Sequence, residues 1–146
     1  MKWTVKIFSQ LSTKELYEIL QLRAKVFVVE QNCPYQDIDN KDLDSYHVMG
    51  YKNQKLITYT RIVNPSISYP EISIGRVVVC PENRGLKLGV EVMKKSISYI
   101  ETTLAKQPIR LSAQAHLKRF YSGLGFQHTG KEYLEDGIPH IEMLRD

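Results

Sequence analysis

The run from Ile74 to Gly89 is where this sequence first shows chemistry. Val77, Val78 and Val79 close an apolar stretch suited to a buried strand. Pro81 stops it, Gly85 and Gly89 bracket a turn, and an amphipathic helix follows. The first turn of a helix carries unpaired backbone N–H groups and the positive end of the helix dipole. Glycines there let a bulky anion approach the backbone, and Arg84 and Lys87 add charge, so the turn has the makings of a phosphate site. It has no Gly-Lys-Ser/Thr for a nucleoside-triphosphate loop and no Gly-x-Gly-x-x-Gly for a dinucleotide. A strand–glycine–helix junction also occurs as a purely structural turn.

Other residue types invite chemistry elsewhere. Phe120-Tyr121-Ser122-Gly123-Leu124-Gly125-Phe126 puts a phenol on a short helix. Tyr121 shares an apolar stripe with Leu117, Phe120 and Leu124, so it reads either as a proton donor or as a core aromatic with a satisfied hydroxyl. The loop from Asp37 to Asp42 resembles a calcium loop in charge only. Counted from Asp37, its sixth residue is Asp42 rather than glycine and its twelfth is Val48 rather than glutamate. What remains is a solvated loop, or one that attracts a cationic amine. Cys33 and Cys80 each precede a proline, lack the spacing of a metal or redox pair, and are expected as two reduced thiols. No metal site is expected.

The turn and the Phe-Tyr helix together resemble the GNAT acyltransferases. The phosphate turn of that family reads Gln/Arg-x-x-Gly-x-Gly/Ala after a strand ending in a Val-x-Pro-like segment. Arg84 takes its first position and Gly89 its last, with Val79-Cys80-Pro81 upstream. Lys87 stands where the middle glycine is usual, and the turn keeps its donors if Lys87 holds a helical conformation. Arg23 to Gln31, Gln114-Ala115-His116 and Asp136-Gly137-Ile138-Pro139-His140 are similar to the ElaA branch of the family.

The resemblance implies transfer of an acetyl group from acetyl-coenzyme A to a primary amine of a small molecule or peptide, by direct attack in a ternary complex. It assigns the cofactor to Arg84, Gly85, Leu86, Lys87, Leu88, Gly89 and Val90, with His116 and Phe120 nearby. It also implies a bulge in the central strand at Val77, Val78 and Val79, whose N–H groups face the thioester oxygen. Tyr121 matches the tyrosine that protonates the departing thiolate. Arg23, Glu30 and Gln31 fall in the region that covers the acceptor. Arg23 has a second reading, because an arginine on a helix's buried stripe usually marks an internal ion pair. Some members carry a strand glutamate as base, but Ser73 occupies that position. Glu71, Glu30, His47, His116 and a water chain all stay open.

These residues need elements to position them. Trp3, Val5 and Ile7 alternate over residues 2–8, a strand. Ser12 and Glu15 form a capping-box signature ahead of a helix over residues 13–27, with Leu16, Ile19, Leu20, Arg23 and Phe27 at helical spacing. Residues 32–44 read as a long loop. Residues 46–51 and 56–63 form a hairpin around Lys52 to Lys55, and residues 72–79 a central strand. A helix begins near Leu86, its buried stripe marked by Met93, Ile97, Ile100 and Leu104. Residues 108–115 are a strand, then comes the Tyr121 helix, ending at Gly123 or Gly125. Two strands close the chain around Asp136-Gly137. The order β-α-βββ-α-β-α-ββ is a mixed α/β (α+β) arrangement and matches the GNAT fold, a mostly antiparallel sheet flanked by helices.

With 146 residues, 42% hydrophobic and 25% charged, the chain fits one domain spanning residues 1–146. The net charge of +4 suits a polyanionic cofactor, and equally a merely solubilising surface. The lysines form no dense block, and no aromatic-basic strand signature points to RNA, so no nucleic-acid partner is expected. The N-terminus is too short and mixed for a signal peptide, which leaves a cytoplasmic protein with no membrane association, either monomer or homodimer. A non-catalytic coenzyme A-binding regulatory module is the alternative to an enzyme.

Overall fold

The computed structural model describes all 146 residues. Ser12 opens the first helix as its pattern requires. Its Oγ accepts the Glu15 N–H at 3.0 Å and Glu15 Oε1 accepts the Ser12 N–H at 2.8 Å. The strands are β1 (Lys2–Ile7), β2 (Ser45–Lys52), β3 (Lys55–Val63), β4 (Ile72–Val79), β5 (Ile109–Gln114), β6 (Gln127–Glu135) and β7 (Ile138–Arg145), and the helices are α1 (Thr13–Arg23), α2 (Leu88–Tyr99) and α3 (Lys118–Ser122). The chain continues beyond α1 in π-helical winding over Ala24–Glu30, so the expected helix over residues 13–27 changes pitch at Ala24. No helix is long and apolar enough to cross a membrane.

The seven strands lie in the order β1-β2-β3-β4-β5-β7-β6. All pairs are antiparallel except β4 with β5, which pair only at Ile72↔Ile109 and Ser73↔Arg110. Past Ser73 these two strands part, and the sheet is open at its middle.

Two cores lie on opposite faces. On one, Val92, Met93 and Ile97 from α2 and Ile100 just beyond it pack with Ile62, Ile74, Leu111, Ile141 and Met143. Each such side chain contributes about 1.5–3 kcal/mol on burial. On the other, Ile19, Leu22 and Val26 pack with Met49, Ile57, Tyr59 and Val78. Over β5 and β7 that second face carries polar side chains instead: Arg110, Ser112 and Gln114 alternate with Ile109, Leu111 and Ala113, and His140 and Glu142 with Ile141 and Met143. α1 covers only part of the sheet, and the polar remainder forms the floor of a groove.

Candidate active site

The central strand positions the site because it breaks register. On β3, Thr58, Tyr59 and Arg61 face Val79, Val78 and Gly75 in turn. Arg76 and Val77 are therefore left without β3 partners, and Arg76 has a left-handed φ of 52°. The extra residue swaps the faces of the strand. Before it, Ile72 and Ile74 point into the α2 core; after it, Val77 packs there and Val78 points to the α1 core. The bulge thus lies at Arg76–Val77. Of the three valines expected to form it, Val78 and Val79 are in register with β3 and only Val77 is unpaired. Masked by a run of three valines, the change of phase leaves no trace in hydrophobic periodicity.

A left-handed arginine is strained, and ion pairs hold this one. Arg76 Nε donates to Asp37 Oδ1 at 2.7 Å and its Nη2 to the Asp37 carbonyl at 3.1 Å, while Asp39 Oδ2 lies 3.3 Å from Nη2. The same loop is tied twice more. Arg23, fully buried, binds Asp37 at 2.9 Å and Asp42 at 2.7 Å. Arg61 binds Asp39 at 2.8 Å and Asp42 at 3.0 Å. Burial works against each charge, but the hydrogen bond from Arg61 holds Asp39 down to about 2, and that from Arg23 likewise holds Asp42 low. Ile38 and Asn40 of the loop are exposed, but its carboxylates are not free to attract a cation, since three arginines pair with them. Arg23 is the internal ion pair of its second reading and does not border the cavity described next.

A cavity of about 410 Å³ opens where β4 and β5 part. The bulge residues Gly75, Arg76 and Val77 line it, as do Ser112 and Gln114 of β5, Tyr121 of α3, Phe27, Gln31, Cys33 and Tyr35 of the α1–β2 segment, Tyr69 of the β3–β4 loop, and Glu135 and His140 of the last hairpin. Tyr121 belongs to the α2-side core and also borders this cavity. Burial pushes its phenol up to about 12, so the hydroxyl keeps its proton at neutral pH. Phe120 and Phe126 hold the ring edge-on at centroid distances of 4.9 and 6.0 Å.

The phosphate turn lies at the other end of β4. Gly85 has a φ of 87° with open space where a Cβ would stand. Lys87 is left-handed too (φ 59°, ψ 26°) and caps α2. The condition of a helical Lys87 is therefore not met, and the helix begins at Leu88 rather than near Leu86. The turn keeps its donors by another route. The left-handed cap ends the loop and α2 starts at once, with the Glu91 N–H reaching the Lys87 carbonyl at 3.2 Å. The amides of Leu88, Gly89 and Val90 thereby form the first helical turn, the orphan donors of a helix start. A Cβ on Gly89 would meet Phe120 at 3.5 Å and Val79 at 4.0 Å, ordinary van der Waals contacts. These features fit a pyrophosphate, which needs a concave backbone with free N–H groups and no side chain in the way.

Arg84 and Glu30 face each other across this turn at 2.6 Å. Gln31 lines the cavity, His116 is exposed ahead of α3, and Phe120 sits half-buried beside Gly89. Of the proposed bases, Glu71 is paired with Arg110 at 2.8 Å, Glu30 with Arg84, and His47 is buried between Tyr59 and the Asp42 carbonyl. None of them, nor His116, borders the cavity. Tyr35, Arg61, Arg76, Tyr69, Glu135 and His140 do, and the sequence assigned none of them a role, although His140 ends the run similar to the ElaA branch. The one local signal was in β7, where His140 alternates with the core residues Ile141 and Met143. Cys33 and Cys80 are both buried free thiols.

A family model described as an acetyltransferase (GNAT) domain matches residues 9–145. Protein ElaA of Escherichia coli (strain K12) is 45% identical over 148 aligned residues, spanning 100% of this chain and 97% of that protein. The crystal structure of an acyl-CoA N-acyltransferase from Pseudomonas aeruginosa matches with a TM-score of 0.93 at 43% identity, covering 100% of both chains. That of Escherichia coli ElaA matches with a TM-score of 0.92 at 45% identity, covering 99% of both.

Proposed function

Since the chain belongs to the GNAT acetyltransferase family, we propose that it transfers an acetyl group from acetyl-coenzyme A to a primary amine of a small molecule or peptide, by direct attack in a ternary complex. The observation that carries this reading is the cavity at the parting of β4 and β5, which has the unpaired bulge on one wall and a protonated phenol on another.

Each part has a chemical task. The α2 turn receives the pyrophosphate on the amides of Leu88, Gly89 and Val90, with Arg84 and Lys87 supplying charge. The pantetheine arm then runs along the edge of β4 that faces β5, where pairing with β5 ends at Ser73. The bulge frees backbone N–H groups at Arg76 and Val77 to meet the thioester oxygen as negative charge develops there. The amine nitrogen attacks the carbonyl carbon, a C–N bond forms, and the C–S bond breaks. Tyr121 donates its proton to the leaving sulfur. Holding both reactants in one cavity removes much of the entropic barrier to their encounter.

A panel of primary amines assayed with acetyl-coenzyme A for free thiol tests the reading. The expected result is amine-dependent thiol release together with a thermal shift on cofactor binding. Tight cofactor binding with no thiol from any amine would favour the alternative, a coenzyme A-binding regulatory module. That alternative draws on the occupation of Arg84 by Glu30.

A further inference from the structure

The transfer just described leaves one proton without a destination. An alkylammonium has a pKa near ~10 and must be deprotonated before it attacks, and the carboxylates and imidazoles considered above lie off the cavity or are tied up in ion pairs. At the other end of the groove, β7 and the β6–β7 turn bring His140 and Glu135 together. His140 Nδ1 lies 2.7 Å from the Ile138 carbonyl. A carbonyl only accepts, so Nδ1 carries a proton, and Nε2 is the ring nitrogen left to meet a ligand. Nε2 in turn lies 3.3 Å from Glu135 Oε2.

Nε2 and Oε2 thus stand side by side at the cavity wall, close enough for one ligand group to bridge both. A group with several N–H donors fits that bridge. The imidazole is held rigidly: it is 9% exposed, and Tyr133 stacks on it at 6.1 Å with the planes 21° apart. Tyr133 is itself hydrogen-bonded to Ser112 of β5. Gln114 is the register partner of His140 and also lines the cavity. The imidazole is therefore anchored to the strand that forms the far wall from the bulge.

We propose that His140 Nε2 and Glu135 Oε2 form the seat of the acceptor's ammonium group, with His140 as the general base of the transfer. The inference rests on the acyltransferase reading and adds the base to it. One N–H of the ammonium donates to Nε2 and another to the Glu135 carboxylate. Nε2 takes a proton and the ring becomes an imidazolium beside Glu135. The freed lone pair forms the C–N bond, the C–S bond breaks, and the thiolate takes the Tyr121 proton. The second proton of the amine leaves as the amide forms and restores Tyr121 through solvent. The net release is one proton, on His140. The other ionisable groups around the ring are Tyr133 of β6, Asp136 of the turn, Tyr69 of the β3–β4 loop, and Glu142 along β7, which Arg110 of β5 neutralises at 2.9 Å.

The experiment follows the His140 ring resonances by NMR in the full chain while n-butylammonium chloride is added, with and without coenzyme A, and measures the pH profile of kcat/KM. The ring resonances are expected to move with butylammonium whether or not cofactor is present. Glu135→Gln should weaken that response about tenfold. His140→Gln should retain cofactor binding, lower kcat at least a hundredfold and flatten the acid limb of the profile. Ring resonances that ignore butylammonium would overturn the seat. A His140→Gln profile superimposable on that of the parent enzyme would overturn the base. Loss of coenzyme A binding by the unmodified protein would instead strike the acyltransferase reading, because the ammonium titration reads His140 without cofactor.

Discussion

Arg84 and Glu30 are joined by two parallel hydrogen bonds, Nη1 to Oε2 at 2.8 Å and Nη2 to Oε1 at 2.6 Å. The arginine of the glycine turn is thereby engaged by a carboxylate from the end of the π-helical segment that follows α1. The Arg84 hydrogen bond lowers the Glu30 pKa, so the glutamate is ionised wherever the enzyme works. A pyrophosphate that reaches for Arg84 must displace it. Glu30→Gln should therefore tighten coenzyme A binding severalfold, within about tenfold because exposed ion pairs are weak. Arg84→Gln should weaken it. In the double variant the effect of Glu30 should vanish. Titration calorimetry with coenzyme A measures all three.

Tyr121→Phe tests the acid. The hydroxyl has no hydrogen-bond partner in the protein, so its loss strands no buried group, and stability should stay within about 1 kcal/mol of the parent. Turnover should fall by about a hundredfold, as for loss of a general acid, while the dissociation constant of coenzyme A stays the same. With the phenol pushed up to about 12, the parent should show no alkaline loss of rate from this group until pH approaches that value. Steady-state kinetics over pH, paired with chemical denaturation, checks both statements.

The loop from Asp37 to Asp42 should control both stability and acid tolerance. Removing one member of a buried ion-pair network strands its partners, at a cost of about 3–5 kcal/mol. Arg23→Ala leaves Asp37 and Asp42 each short of a cation and should destabilise by that amount in urea denaturation. The pH dependence follows from Asp39 and Asp42, whose folded pKa values are depressed, Asp39 to about 2. Their stabilisation is complete above the unfolded carboxylate pKa of about 3.9 and is lost as pH falls towards 2. Unfolding midpoints should thus hold to pH 5 and drop steeply below about pH 4, and the drop should be shallower in Asp39→Asn.

The order of elements was legible because each has its own local signature. Ser12 and Glu15 cap α1 as their spacing requires, Trp3 and Val5 alternate along β1, and Met93 and Ile97 mark the buried side of α2. Arg23 could be flagged from its place on an apolar stripe, although its partners could not. The illegible features are set by contacts distant in sequence. Arg76 turns left-handed because β3 fixes the register on both sides of it and because Asp37 and Asp39 hold its guanidinium. The cavity draws Tyr35, Tyr69, Glu135 and His140 from three separate segments, and only the parting of β4 from β5 makes them neighbours. Glu30 gave no sign that its partner would be the arginine of the phosphate turn, 54 residues away.

Lys87 supplies the last prediction. It caps α2 at φ 59° and ψ 26°, a region in which an L-residue with a Cβ is strained by roughly 1–2 kcal/mol relative to glycine. Glycine adopts it without that strain, but loses more chain entropy on folding, which offsets part of the gain. Lys87→Gly should therefore stabilise the fold by up to about 1 kcal/mol, seen as a rise of a few degrees in Tm. The same change removes a positive charge from the turn, so coenzyme A should bind more weakly and with a smaller dependence on salt. Lys87→Ala separates the two effects, because it loses the charge and keeps the strain. It should weaken cofactor binding as much as glycine does while leaving Tm near that of the parent. Should Lys87→Ala stabilise the fold as much as Lys87→Gly, backbone strain would not be the cause. Unchanged coenzyme A affinity in both variants would place the Lys87 charge outside the phosphate site and leave the α2 amides and Arg84 to hold it.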